Sequence, residues 1–131
     1  MYLFLIFLIC GLAPLFSQIS LPGQSGPPDP ELIMTLDKET YRPGEKAVIS
    51  VEFLFPEDYH QTFDPVNFRL EGLVSNSILF GSTLYSEGVL DEAEIVQYYG
   101  NAVLRLEMMI SETAPAGQLT GAVNAHFQLC D

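Results

Sequence analysis

"KAVISVEFLF" (residues 46–55) decides the class of fold. Its apolar residues Ala47, Ile49, Val51, Phe53 and Phe55 recur at every second position, with Lys46, Ser50 and Glu52 between them. Side chains two apart share one face of a β-strand, so the stretch reads as a half-buried strand. "AVLRLEMMI" (102–110) repeats the pattern, with Leu104, Leu106, Met108 and Ile110 on one face and Arg105 and Glu107 on the other. "LTGAVNAHFQLC" (119–130) does so again and reads as a closing strand. There Leu119, Gly121, Val123, Ala125, Phe127 and Leu129 form an apolar row, opposite Thr120, Ala122, Asn124, His126, Gln128 and Cys130. The parity of that strand projects the Cys130 sulfur away from the core.

Weaker strand signals occupy "LIMTLD" (32–37), "VNFRLEGL" (66–73), "SILFGSTLY" (77–85, interrupted by Gly81) and "EIVQYY" (94–99). Pro43-Gly44 marks a tight turn. "PEDYHQTFDP" (56–65), the acidic "SEGVLDEAE" (86–94) and "SETAPAGQ" (111–118) read as loops. No segment after residue 18 carries helical periodicity. Short strands alternating with turns predict an all-β chain, an immunoglobulin-like antiparallel β-sandwich.

The N-terminus is different in kind. It is apolar almost without interruption from Tyr2 to Phe16 and turns polar at Ser17 and Gln18. That is short of the roughly 20 residues a membrane-spanning helix needs and has the length of a signal-peptide core. No Lys or Arg precedes it, so only the α-amino group supplies positive charge. Residues 1–18 are expected to be an export signal, which places the rest in the periplasm or cell envelope. Cys10 follows the bulky Ile9 rather than a small residue, so it is expected to leave with the signal rather than carry lipid. "SLPGQSGPPDP" (20–30) holds four prolines and two glycines; residues 19–30 read as an extended linker and 31–131 as the folded domain.

The chain has 17 acidic and 5 basic side chains and a net charge of −12. Such an excess repels nucleic acid and anionic membrane surfaces, so neither nucleic-acid nor direct lipid binding is expected once the signal is gone. The two histidines and the cysteine lack zinc-ligand spacing, and no phosphate loop or nucleophile elbow is present, so no metal or cofactor is expected. Asp91, Glu92 and Glu94 read as a solvated loop face. Four strand residues separate His126 from Cys130 by roughly 13 Å, too far for a direct pair. His60 falls in a different loop, and nothing in the sequence brings it near. A single cysteine in an oxidising compartment still asks for an explanation.

"GQLTGAVNAHFQLCD" (117–131) resembles the closing segment of the N-terminal periplasmic domain of the protein-disulfide reductase DsbD. Phe127-Gln128-Leu129-Cys130 matches that family's aromatic-Gln-x-Cys element. "EIVQYYGNAVLRLEMMI" (94–110) and "FPEDYHQTFDP" (55–65) fill the places of two earlier segments, so the likeness runs from Leu32 to Asp131. The resemblance implies an immunoglobulin-like sandwich and a redox relay. Electrons come from a thioredoxin-like domain through a membrane-embedded redox domain of the reductase and pass to oxidised periplasmic proteins. Cys130 would be the first cysteine of the active pair. Tyr59, His60 and Gln128 would wall the site, and Glu87 and Asp91 would lie in a cap loop over it. Thr62 stands where the family has tyrosine. The family's second cysteine and Tyr-Pro-Pro run would follow Asp131, so the domain is expected to be incomplete at its C-terminus. The alternative reading is a non-catalytic β-sandwich for binding or assembly in the cell envelope.

Overall fold

The computed structural model describes residues 2–9, 15–19 and 28–131. The linker expectation, like Cys10, falls largely outside them. Among the described residues there is no helix, and the strands form three antiparallel sheets. The first holds β1 (Tyr2–Ile9), β2 (Leu15–Ile19), β6 (Arg69–Gly72) and β11 (Leu119–His126), in the order β2-β1-β11-β6. In the second, β3 (Glu31–Leu36), β4 (Lys46–Leu54), β7 (Ile78–Tyr85) and β10 (Asn101–Ile110) run β3-β4-β10-β7. Sheet three contains β5 (His60–Thr62), β8 (Val89–Leu90), β9 (Val96–Tyr99) and β12 (Leu129–Cys130), in the order β12-β5-β9-β8. The fold is an all-β, sandwich-like assembly of antiparallel sheets.

The alternation that predicted β4 and β10 governs the core. Ala47, Ile49, Val51 and Phe53 are buried along β4, and Ala102, Leu104, Leu106, Met108 and Ile110 along β10. The two strands pair from Asn101↔Leu54 to Met109↔Lys46, which puts both apolar rows on one face of the second sheet. Phe68, Leu70, Val123, Ala125 and Phe127 belong to the same core. Phe53 joins the layers: its ring meets Phe68 edge-on at 5.2 Å between centroids and Phe127 at 6.4 Å. Gly81, the interruption in β7, sits at a register shift where Leu106 pairs with Thr83 but Met108 with Phe80. Gly81 and Ser82 there face the single residue Glu107, a β-bulge.

Three expectations need correction. Residues 56–65 are not all loop, because His60–Thr62 is β5, held on both sides by β12 and β9. Within the acidic 86–94 segment, Val89–Leu90 forms β8 against β9. The closing strand is not continuous. β11 ends at His126, and the chain crosses at Phe127 and Gln128 into β12 of another sheet.

Beyond β3, the Asp37 carboxylate ties the Lys38–Glu45 connection to β4. Its Oδ1 accepts the Tyr41 hydroxyl at 2.6 Å and the Val48 N–H at 3.0 Å. Partial burial raises the Asp37 pKa, but these donors outweigh it and hold the carboxyl below its ordinary value. Burial and the bond to Asp37 push Tyr41 up in turn. A depressed folded-state pKa stabilises the protein above the unfolded value, and that contribution is lost as pH falls through the folded one. Urea unfolding of the parent and Asp37→Asn chains is therefore expected to differ at pH about 6 and to converge toward pH about 2.

Candidate functional site

Cys130 lies in β12, the edge strand of the third sheet, as an exposed free thiol. Leu129 pairs with Gln61 and Cys130 with His60; on the far side of β5, His60 pairs with Tyr99 and Gln61 with Tyr98. Two rows therefore cross three strands. The inner row, Leu129, Gln61 and Tyr98, is 8%, 1% and 3% exposed. The outer row is Cys130, His60 and Tyr99, of which Cys130 and Tyr99 are exposed and His60 half-buried. Directly opposed residues of an antiparallel pair have Cα atoms about 4.5–5.5 Å apart and side chains on one face. The imidazole of His60 is thus the cross-strand neighbour of the thiol, and its other side meets the Tyr99 ring at 5.3 Å between centroids. This corrects the expectation that nothing brings His60 near Cys130.

The crossover that delivers Cys130 depends on one buried side chain. Leaving β11, Phe127 turns its ring inward against Phe53, and the next N–H, that of Gln128, loses its place in a ladder. Gln61 supplies the partner: its Oε1 accepts the Gln128 N–H at 2.8 Å, while its Nε2 donates to the Thr62 carbonyl at 2.8 Å. Burying an amide is tolerable only when its polar atoms are paired. Because Phe127 and Leu129 both stay inward, side-chain parity survives the change of sheet. Cys130 faces outward, as alternation predicts.

A cavity of about 290 Å³ opens beside the outer row, lined by Phe55, Pro56, Asp58, Tyr59, His60 and Tyr99 among others. Asp58 turns the chain there with a φ of 69°, and the Tyr59 N–H donates to the Pro56 carbonyl. Tyr59 packs against the core, His60 reaches the row, and Gln128 is exposed next to it. The register thus sets His60 across from Cys130, Gln128 lies two residues before it in the chain, and Tyr59 turns to the core.

Glu87 and Asp91 lie elsewhere. They flank β8, the opposite edge of the sheet from β12 with two strands between, roughly 14 Å at the usual strand spacing. Glu87 is exposed, whereas Asp91 organises its own turn. Its Oδ1 accepts the N–H groups of Ile95 and Ala93, and its Oδ2 that of the Gln97 side chain, which in turn accepts the Thr62 hydroxyl. The Ile95 N–H first, then the Gln97 amide and the Ala93 N–H, hold its carboxyl below the ordinary range. His126 belongs to the first sheet, 3.4 Å from Glu71, in β11 rather than β12.

Sequence reasoning missed Gln61, Gln97 and Tyr99. Their roles come from cross-strand register, for which the only local signal was the β-forming Tyr59 and Thr62 around His60. No family model matches the chain, and no curated protein or solved structure matches it. The site offers an accessible thiol, an imidazole across from it in register, and a strand at the edge of its sheet among the described residues.

Proposed function

We propose that this chain is a thiol–disulfide exchange module of the cell envelope, with Cys130 as its nucleophile. The observation that carries the reading is the register pair Cys130↔His60 on the exposed face of an edge strand. The Cys130 thiol gives its proton to the His60 imidazole, and the thiolate attacks one sulfur of a partner's disulfide. The old S–S bond breaks as a mixed disulfide forms, and the partner's second sulfur leaves as a thiolate that takes up a proton. A thiol of a reductase then attacks the mixed disulfide, forms a disulfide with the partner's sulfur or with Cys130, and displaces the other as thiolate. Cys130 is the single cysteine among the described residues.

The aromatic-Gln-x-Cys likeness to the N-terminal domain of DsbD supports the same chemistry, with an immunoglobulin-like sandwich, a thioredoxin-like domain and membrane-embedded redox domain as electron donors, and oxidised periplasmic proteins as substrates. The apolar run before Ser17 supports export.

The test uses hydroxyethyl disulfide, whose lack of charge avoids repulsion by a chain of net charge −12. The full chain is expected to form a mixed disulfide that maps to Cys130. His60→Ala should slow it about tenfold, less than a buried general base contributes because the pair is open to water. An unchanged rate in His60→Ala, with the chain still folded by circular dichroism, would refute the assignment of His60.

A further inference from the structure

β11 has two edges with different partners. One pairs with β6 over four residues, Val123↔Gly72 to His126↔Arg69. The other pairs over eight with β1, from Tyr2↔His126 to Ile9↔Leu119. The second edge is thus a slot the length of a whole strand, and the structure shows the kind of ligand it holds: an extended segment, antiparallel, in continuous register. β1 is a poor match for it in one respect. The residues of β11 that face away from the core are Thr120, Ala122, Asn124 and His126, whereas "YLFLIFLI" (2–9) contains no residue more polar than its tyrosine. Register sets Phe4 opposite Asn124 and Leu8 opposite Thr120. Asn124 Oδ1 is buried with no hydrogen-bond partner. A buried acceptor without a donor is the arrangement native folds avoid. The same eight residues also carry the composition of an export signal, and a segment that leaves with export would uncover the full edge of β11. An unpaired edge of that length is a template for another strand.

We propose that the β11 edge is a strand-receiving slot for an extended segment of a partner polypeptide, one that carries a hydrogen-bond donor side chain opposite Asn124. β1 is the resident occupant and yields to such a segment. Backbone pairing gives the contact its length and direction, and the Asn124 carbonyl gives it preference at one position. The slot lies in the first sheet, whereas Cys130 lies in the third, so this inference stands apart from the exchange chemistry.

Two fluorescent peptides test it, each holding the sequence 2–9 between pairs of lysines for solubility, one unchanged and one with Phe4→Ser. In anisotropy titrations against the full chain, the Phe4→Ser peptide is expected to bind saturably and about tenfold more tightly than the other, the scale of one buried hydrogen bond. A chain with Ile6→Cys and Ala122→Cys, built on Cys10→Ser and Cys130→Ser, joins register partners whose spacing suits a disulfide. Oxidised, it should bind neither peptide; reduced, the same protein should recover binding, which makes it its own folding control. Asn124→Ala should bind the two peptides equally. Absence of saturable binding, equal affinities for the parent chain, or undiminished binding by the oxidised lock would each overturn the proposal.

Discussion

Phe53→Ala is expected to be the most destabilising single substitution at the layer junction, costing about 3–5 kcal/mol in urea or thermal unfolding. Phe53 is fully buried, and its ring lies within 6.4 Å, centroid to centroid, of those of Phe55, Phe68 and Phe127. These neighbours come from the residue just past β4, from the approach to β6 and from the crossover between β11 and β12. Removing the ring deletes its transfer free energy and leaves a space that three chain segments would have to move together to fill. Packing of Phe127 on Phe53 also sets the direction in which the chain leaves β11. Phe53→Ala should accordingly loosen the third sheet before the second, seen as faster amide exchange at Leu129 and Cys130 than along β10. Phe53→Leu keeps most of the volume and is expected to cost well under half as much. A loss below about 1 kcal/mol for Phe53→Ala would mean that the ring does not bridge the layers.

Gln61→Leu is expected to have the largest effect on the site itself. The substitution conserves approximate volume in a position only 1% exposed, so packing changes little while two hydrogen bonds disappear. A cost of about 1–3 kcal/mol follows from losing the polar partner of the Gln128 N–H and the link to Thr62. β12 is two residues long and pairs only with β5, so most of that cost falls locally and releases the strand. Cys130 should then react as an isolated thiol. The distinguishing measurement is a double-mutant cycle on the rate of mixed-disulfide formation. His60→Ala slows the parent chain but should make no further difference in the Gln61→Leu background. Additive effects of the two substitutions would show that Gln61 does not act by placing Cys130 across from His60.

These residues also mark where sequence reading succeeded and where it stopped. The buried rows of β4 and β10 were legible because each strand carries its own period of two, long enough to exclude other periods. The outward side of Cys130 was legible for the same reason, since Phe127 and Leu129 keep the alternation through the crossover. That unbroken alternation also hid the crossover, as parity does not report which sheet a residue belongs to. β5 was illegible because three residues near prolines have no periodicity to show; pairing to β9 and β12 makes them a strand. The neighbourhood of Cys130 and His60 is a property of register between distant segments. So are the service of Gln61 to the Gln128 N–H and the Thr62–Gln97–Asp91 chain that keeps Asp91 with β8 rather than with the thiol.

The proposed exchange chemistry requires that folding give Cys130 a neighbour that helps its sulfur react. The most direct measurement is the second-order rate constant of the full chain with hydroxyethyl disulfide near neutral pH, in buffer and in denaturing urea, followed at Cys130 by peptide mass. An exposed thiol with His60 across from it is predicted to react several-fold faster folded than unfolded, and to lose that advantage in His60→Ala. Equal rates in the two states, or a slower folded one, would refute the proposed role of Cys130 and His60.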